Sequence, residues 1–273
     1  DDLKEIMLHR FHKLDDPNLP IGTPGKWYHD QVYGRKNFDD DDRIGTGIVL
    51  FVWGAYIECA SLMIDSVAMM VEHEFQDSLI NIREELDETR KATANIPTSD
   101  YTFWSQMPYT LGVLRETLRL EPPGAGVPRF SHEDFALAGY RIPSGVGVMM
   151  EPRIGNNDPS LYPYPEKFEP MRWAPKEKQQ GVSASEESQC PFRGTALKNG
   201  PGSWFPGGFG AHKCPGVPLA ELVGKMFLVK LATRFDSWEF SGQGLDNDGK
   251  IKYVLIPVKI PPDNFGLVFR AKE

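Results

Sequence analysis

The chain has little cysteine and no excess of positive charge. Its 273 residues contain three cysteines, Cys59, Cys190 and Cys214, and the nearest two are 24 residues apart. Such sparse cysteines argue against a disulfide framework, and without a CxxC or HExxH pattern a structural zinc site is not expected. The 30 Lys and Arg residues against 38 Asp and Glu give a formal net charge of −8. Nucleic acid is therefore not an expected partner.

The composition also lacks the bias of a disordered or fibrous protein. There are 26 glycines and 23 prolines, while 40% of the residues are hydrophobic and 25% are charged, as in globular domains. The length suits one large domain or two small ones. The sequence begins at Asp1 without a methionine and without signal-peptide regions, which predicts a processed start or a fragment.

Two stretches of the chain are predicted to contribute little to a core. Residues 1–44 are polar and broken by Pro and Gly, which predicts a loop-rich lead-in with one short helix over Leu3–Leu14. The remaining residues, 45–273, are predicted to belong to one domain. Within it, residues 174–203 are rich in Lys, Gln, Glu, Ser and Gly, which predicts a surface insertion in which Cys190 has no role.

The longest apolar segment runs from Ile48 towards His73 and predicts a helix of about 25–30 residues. A membrane span is the alternative interpretation of such a run. Glu58 and Asp65 lie inside it, and each would cost about 2.5–3.5 kcal/mol at the centre of a bilayer. We therefore expect a helix in a soluble core.

The other elements are shorter. The patterns predict a charged helix over Asp77–Ala94, strand pairs over Phe135–Met150, and short strands over Trp238–Arg270. They also predict helices over Tyr109–Leu120 and Pro218–Phe235. Together these elements indicate a mainly α, α+β architecture.

A glycine-rich loop around Cys214 runs directly into the last predicted helix. Backbone N–H groups in such a loop, together with the start of a helix, favour the thiolate form of a cysteine. A thiolate there could be a nucleophile or a soft metal ligand, and a cysteine simply packed in a tight turn is the alternative. A nucleophile pair with His212 is less favoured because no orienting carboxylate is evident.

Glu116 and Arg119 stand three residues apart on a helix, where a solvated ion pair worth about 0.2–0.5 kcal/mol would be the ordinary interpretation. The order of the surrounding motifs changes that interpretation. Downstream lie, in order, Arg129, the segment 140–145 (YRIPSG), the segment 158–163 (DPSLYP), the segment 168–173 (FEPMRW) and Cys214.

This succession resembles the C-terminal half of the cytochrome P450 superfamily, the haem-thiolate monooxygenases, from residue 45 to the end. The resemblance implies that fold, with a long distal helix, a Glu-x-x-Arg helix, small sheets and a cysteine-ligand loop. It also implies a haem whose iron has Cys214 as its axial ligand, and a buried structural triad of Glu116, Arg119 and Arg172. Further haem contacts implied by the resemblance come from Phe209, Gly210 and Gly216 in the loop and from the basic residues His212 and Arg129.

The long helix would carry the distal side of the site, where the segment Ala55 to Cys59 is the best match to the oxygen groove of the family. There Ala55 would border the haem and Glu58 could pass protons, although a satisfied buried carboxylate is the alternative for Glu58. Cys59 stands where the family has a threonine, and Gly207 stands where it has a phenylalanine that shields the sulfur. Loss of the threonine hydroxyl would weaken proton delivery to bound oxygen.

The resemblance implies an oxidoreductase that hydroxylates an apolar small molecule, such as a lipid, sterol, retinoid or terpenoid, with O2 and electrons from a reductase or ferredoxin. The alternatives are a peroxide-using isomerase or peroxygenase on the same scaffold and a non-catalytic haem-binding fragment. Complete members are nearly twice as long as this chain. A membrane anchor, for example in the endoplasmic reticulum, would therefore belong to the half that this sequence does not contain, and the sequence leaves the compartment open.

Overall fold

The computed structural model describes residues 41–73, 77–124, 126–173, 206–208, 213–240, 254–256, 258–260 and 266–271. The predicted helix over Leu3–Leu14 and the predicted insertion 174–203 with Cys190 lie outside these residues. The chain divides into two compact units, Asp1–Ile57 and Glu58–Glu273.

Helix α1 spans Asp41–Glu72 and is, at 32 residues, slightly longer than predicted. In the second unit its apolar residues enter the core, with Val67 and Met70 almost fully buried. The Ser61 hydroxyl donates to the buried Asp65 carboxylate over 2.9 Å. Among the described residues, the part from Gly54 to Glu72 alone has the length and composition to cross a membrane. Its packing in the core agrees with the predicted core helix.

The remaining helices are short or medium in length. The charged helix and the two later apolar helices lie within two residues of their predicted bounds, whereas two five-residue helices and a 3-10 turn have no counterpart in the predictions. The helices are α2 (Ser78–Ala92), α3 (Tyr101–Ser105), α4 (Pro108–Leu120), α5 (Pro152–Asn156), a 3-10 helix (Pro170–Trp173) and α6 (Val217–Arg234).

The described strands form four two-stranded antiparallel sheets. Of the strand pairs predicted over Phe135–Met150, one hairpin lies within that range and turns through Ala138 and Gly139, both at positive φ. The strand at the end of the range pairs instead with a strand before it, Val127–Phe130, which was not predicted. The sheets are β1 (Val127–Phe130) with β4 (Gly147–Met150), β2 (Phe135–Leu137) with β3 (Tyr140–Ile142), β5 (Phe235–Phe240) with β8 (Leu267–Ala271), and β6 (Val254–Ile256) with β7 (Val258–Ile260).

Large apolar side chains remain exposed on the first two sheets. In β1 and β4, Phe130 is 68% exposed and Met149 is 59% exposed. In the hairpin, Leu137 and Tyr140 are direct cross-strand partners and are 50% and 74% exposed. These two ribbons therefore present apolar surface on the outside of the second unit.

Helices α2, α4 and α6 pack together in the core of the second unit. Helix α4 is buried on more than its apolar stripe: Leu114 and Leu118 are buried, and Glu116 and Arg119 on the other face are 0% exposed. The interpretation of these two charges as a solvated ion pair is therefore wrong. Both sides of α4 are covered, so the charged face must be satisfied by other parts of the chain.

Candidate functional site

The Glu116 carboxylate is the centre of a buried hydrogen-bond network. Arg119 donates to it twice, with Nε 2.9 Å from Oε2 and Nη2 2.7 Å from Oε1. Arg172 Nε lies 3.2 Å from Oε1, and the Trp173 indole N–H donates to Oε2 over 2.8 Å. The backbone N–H of Glu169 adds a fifth donor at 3.1 Å. One carboxylate thus joins α4 to the segment that contains the 3-10 helix.

All five N–H groups of Arg119 are used. Besides the two bonds to Glu116, its guanidinium donates to the backbone carbonyls of Asn156, Pro165 and Lys167, at 2.8–3.0 Å. The Asn156 side chain donates back to the Arg119 carbonyl over 3.0 Å. The guanidinium also lies 5.2 Å from the ring centroid of Tyr162, a cation–π distance. Arg119 therefore fixes three backbone carbonyls at once, one at the end of α5 and two in the segment that follows.

A glycine allows this close contact between α4 and the 3-10 helix. A Cβ atom at Gly112 would collide with the Pro170 carbonyl oxygen. The two backbones therefore approach to a separation that a larger residue at position 112 prevents. Gly112, Trp173 and the backbone acceptors were not predicted from the sequence. Only Trp173 left a signal, because it follows Arg172 directly.

Cys214 lies in a turn immediately before α6 and is exposed. The Gly216 N–H donates to the Cys214 sulfur over 3.3 Å, and the Cys214 N–H donates to the Gly207 carbonyl over 2.7 Å. A Cβ atom at Gly207 would lie 2.9 Å from Cys214 Cβ and 2.6 Å from Val217 Cγ2. Glycine is therefore required at position 207, since the turn packs directly against the cysteine there.

Of the other residues predicted for the haem site, Gly216 contacts Cys214 through its backbone N–H. Phe209, Gly210 and His212 lie outside the described residues. Arg129 is exposed on β1, opposite Val148 in β4. Ala55 is exposed on α1, in the first unit.

Cys59 of α1 is half-buried, and its thiol has a raised pKa. Burial is the main cause of the raised pKa of the Cys59 thiol, and the charges of Glu58 and Cys214 raise that pKa further. Burial also raises the pKa of Glu58. Glu58 and Cys59 on α1 therefore both hold their protons to a higher pH than the same side chains do in water.

Comparison with known proteins identifies the family. The family model described as Cytochrome P450 matches residues 68–261, which is more than half of the chain, so this chain belongs to the cytochrome P450 family. "Probable cytochrome P450 12d1 proximal, mitochondrial" from Drosophila melanogaster is 26% identical over 199 residues, which cover 71% of this chain and 34% of the relative. "Putative cytochrome P450 120" from Synechocystis sp. is 34% identical over 159 residues, 58% of this chain and 31% of the relative.

A solved structure supports the fold. The structure described as "Retinoic acid bound cyanobacterial CYP120A1" superposes with a TM-score of 0.72 at 23% identity, covering 99% of this chain and 55% of that chain. The predicted fold class, a mainly α cytochrome P450 fold with small sheets, is confirmed. The chain spans about a third of the length of the two curated relatives above. Family membership brings with it a haem with a cysteine thiolate as axial ligand, as predicted.

The donor chemistry of the described residues fits this cofactor. A single exposed sulfur with a backbone N–H donated to it suits a soft axial ligand to iron. In the part of the chain that the structure describes, no group of three or more His, Cys, Asp or Glu residues could hold another metal ion. The turn before α6 is therefore the best candidate haem site.

Proposed function

We propose that this chain forms the haem-binding part of a monooxygenase that hydroxylates an apolar small molecule with O2 and electrons from a redox partner. The observation that carries this proposal is the exposed Cys214 sulfur at the start of α6, with the Gly216 N–H 3.3 Å away. When bound, the haem supplies the oxygen chemistry, and the protein supplies the ligand, the electrostatics and the access of protons.

Cys214 would be the residue that holds the iron. The hydrogen bond from Gly216 withdraws negative charge from the sulfur and fixes its direction. The Cys214 N–H bond to the Gly207 carbonyl, at 2.7 Å, holds the backbone that carries the sulfur. Phe209, Gly210 and His212 would complete the loop, and the exposed Arg129 would contact a haem propionate.

The triad of Glu116, Arg119 and Arg172 has a structural role in this proposal. It holds the 3-10 segment on α4, which in turn packs against α6. The hydrogen bonds and ion pairs of the triad described above all lie away from the Cys214 turn. Its effect on the site is therefore exerted through the packing of α4 and α6.

Glu58 and Cys59, which follow Ala55 in the sequence, would act on the distal side. The raised pKa of Glu58 lets this carboxyl group hold a proton at a higher pH than an ordinary glutamate does. The Cys59 thiol, whose pKa is also raised, stays protonated at neutral pH and is only a weak hydrogen-bond donor. Glu58 is therefore the proposed proton carrier. Cys59, beside it, stands where the family has a threonine, whose hydroxyl is a stronger hydrogen-bond donor than a thiol.

The proposed substrate is an apolar small molecule such as a retinoid, sterol, lipid or terpenoid. The similar cyanobacterial structure has retinoic acid bound, which supports the retinoid member of this group. A reductase that uses NADPH or a ferredoxin would deliver the electrons. Measurement of substrate-dependent oxidation of NADPH with a reconstituted reductase tests both parts.

A second candidate is an isomerase or peroxygenase that takes a peroxide instead of O2 and a redox partner. The observation that favours it is Cys59, because a weak donor beside Glu58 serves O2-dependent proton delivery poorly. Turnover with an organic peroxide but not with O2, reductase and NADPH would establish this candidate. Cys59→Thr should then gain O2-dependent turnover.

A third candidate is a haem-binding module without catalysis. This candidate is motivated by length, because the chain spans about a third of the length of the two curated relatives described above. Titration with haem tests it: tight stoichiometric uptake without turnover under either oxidant condition would support the module.

The ligand assignment is tested by the absorption spectrum of the reduced, carbon-monoxide-treated haem protein. Wild type should show the band typical of thiolate ligation, and Cys214→Ser should abolish it. Cys59→Ser is the matched control and should retain the band, because Cys59 is not the proposed ligand. A thiolate band that survives in Cys214→Ser would overturn the assignment.

A further inference from the structure

A bidentate ion pair joins α6, the helix after Cys214, to α4, the helix that carries Glu116. Arg115 Nε lies 2.8 Å from Glu221 Oε1, and Arg115 Nη2 lies 3.3 Å from Glu221 Oε2. The two side chains are 19% and 12% exposed. Two parallel N–H···O bonds between planar groups fix orientation as well as distance. The pair therefore restrains both the rotation of α6 and its movement along α4.

The bridge is placed where it can control the cysteine. Glu221 follows Cys214 by seven residues and lies about one turn into α6, which begins at Val217. The backbone connection between them is hydrogen-bonded, since the Gly216 N–H contacts the Cys214 sulfur and the Ala220 N–H donates to the Gly216 carbonyl over 2.9 Å. A movement of Glu221 is therefore passed to Cys214 with little loss.

The adjacent packing holds the next turn of α6 close to α4, on the side of Glu221 that is farther from Cys214 in sequence. A Cβ atom at Gly224 would lie 2.8 Å from Leu114 Cδ2, so the helices already touch at van der Waals separation. Lys225, which is buried, donates to the Trp104 carbonyl and ties α6 to α3. Of the α6 residues Glu221, Gly224 and Lys225, Glu221 lies nearest in sequence to Cys214.

We propose that Arg115 and Glu221 are a positioning pair that sets the placement of the Cys214 sulfur against the haem iron. The proposal rests on the proposed function, in which Cys214 is the ligand. Both residues act through α6 and the turn before it, so they are positioning residues and not catalytic ones. Their effect is expected on the iron–sulfur bond more than on the stability of a partly exposed surface pair.

The test uses haem-loaded protein and compares Glu221→Gln with wild type. We expect a larger fraction of the reduced, carbon-monoxide-treated protein to lose the thiolate band, and the reduction potential to shift upwards, because a displaced sulfur donates less charge to the iron. Asp236→Asn is the matched control: it breaks the 3.3 Å ion pair of Arg83 at the opposite end of α6. That control should leave the band and the potential as in wild type.

A charge swap keeps the test decisive if Glu221→Gln folds poorly. The double variant Arg115→Glu with Glu221→Arg restores opposite charges across the same two positions and should recover the thiolate band relative to either single reversal. Wild-type spectra in Glu221→Gln, or no recovery in the swap, would overturn the positioning role. The proposed function has a separate test. A thiolate band that persists in Cys214→Ser would show that Cys214 is not the ligand, whatever the result for Glu221→Gln.

Discussion

Arg83 and Glu85 lie two residues apart on α2, and each binds the end of a different helix. Glu85 Oε2 accepts from the Thr110 N–H at 2.8 Å and from the Thr110 hydroxyl at 2.6 Å, at the start of α4. Arg83 Nη1 donates to the carbonyls of Ala232 and Phe235, both at 3.1 Å, at the end of α6. A negative group thus meets the positive end of one helix dipole, and a positive group meets the negative end of another.

Glu85 supplies the cap that the chain lacks before α4. The N-cap residue Met107 has no side-chain oxygen, and the Tyr109 and Thr110 N–H groups bond to Glu85 instead. We expect Glu85→Ala to lower the free energy of unfolding by about 1–3 kcal/mol, because buried donors lose their acceptor. Urea denaturation measures this change. Glu84→Ala, at an exposed position of the same helix, should change stability little, and equal losses in both variants would refute the cap.

Arg119 cannot be replaced by lysine without loss. Lysine has three N–H donors in place of five, so acceptors among the carbonyls of Asn156, Pro165 and Lys167 would be left without a partner. We expect Arg119→Lys to cost about 3–5 kcal/mol of unfolding free energy, the range for breaking a buried ion pair. Denaturant unfolding provides the measurement.

The control for that change is Arg153→Lys. Arg153 pairs with Glu151 at a partly exposed position, with Nε 3.0 Å from Oε1. Such pairs contribute about 0–1 kcal/mol, so this variant should unfold close to wild type. Similar midpoints for the two variants would contradict the central place of Arg119.

Trp173→Phe removes one donor from the Glu116 network and keeps most of the aromatic packing. The indole N–H lies 2.8 Å from Glu116 Oε2. We expect a loss of about 1.5–3 kcal/mol, the usual contribution of a hydrogen bond to a charged group. Thermal unfolding followed by circular dichroism measures it. A stability equal to that of wild type would show that the other donors to Glu116 suffice.

Gly112→Ala should displace the 3-10 helix from α4, because the new methyl group meets the Pro170 carbonyl. Backbone cannot rotate away as a side chain can, so we expect a loss of about 1–3 kcal/mol. Gly155→Ala is the matched helical control, since nothing lies within 4 Å of a Cβ atom there. That control should be neutral or slightly stabilising in urea unfolding, because alanine favours helix over glycine. A neutral Gly112→Ala would contradict the close contact.

Lys225 gives a pH dependence of stability with a defined sign. Burial lowers the pKa of this buried lysine below its ordinary value, so the unfolded chain binds its proton more tightly than the folded chain does. Stability should therefore rise with pH in the alkaline range between the two pKa values. Lys225→Met should remove that part of the slope. The unfolding free energy of both proteins against pH measures it, and parallel curves would count against this account.

The helices and hairpins were predictable because they leave local patterns. The apolar period of α4, the alternation around Gly139 and the length of the α1 run each depend on neighbouring residues alone. The short helix α3 also left a local signal, since Asp100 accepts from the Thr102 N–H over 2.8 Å as an N-cap, but no helix was predicted there. The Glu116 triad could be anticipated through the family motifs.

The contacts between distant parts of the chain were not predictable. Glu85 and Thr110 are 25 residues apart, and Arg115 and Glu221 are 106 residues apart. No spacing rule links such positions, and charges on a helix usually indicate a solvated face. Backbone acceptors such as the Pro165 carbonyl carry no side-chain signature at all. The structure was needed to show which charges turn inwards.

The two-stranded sheets β1–β4 and β2–β3 affect the self-association of this chain in solution. Each has only two strands among the described residues and carries aromatic and aliphatic groups outwards, Phe130 and Tyr140 among them. Unpaired strand edges next to exposed apolar side chains favour self-association of the protein. Preparations of this polypeptide should consequently form larger species as they are concentrated, and mild detergent should reverse that growth.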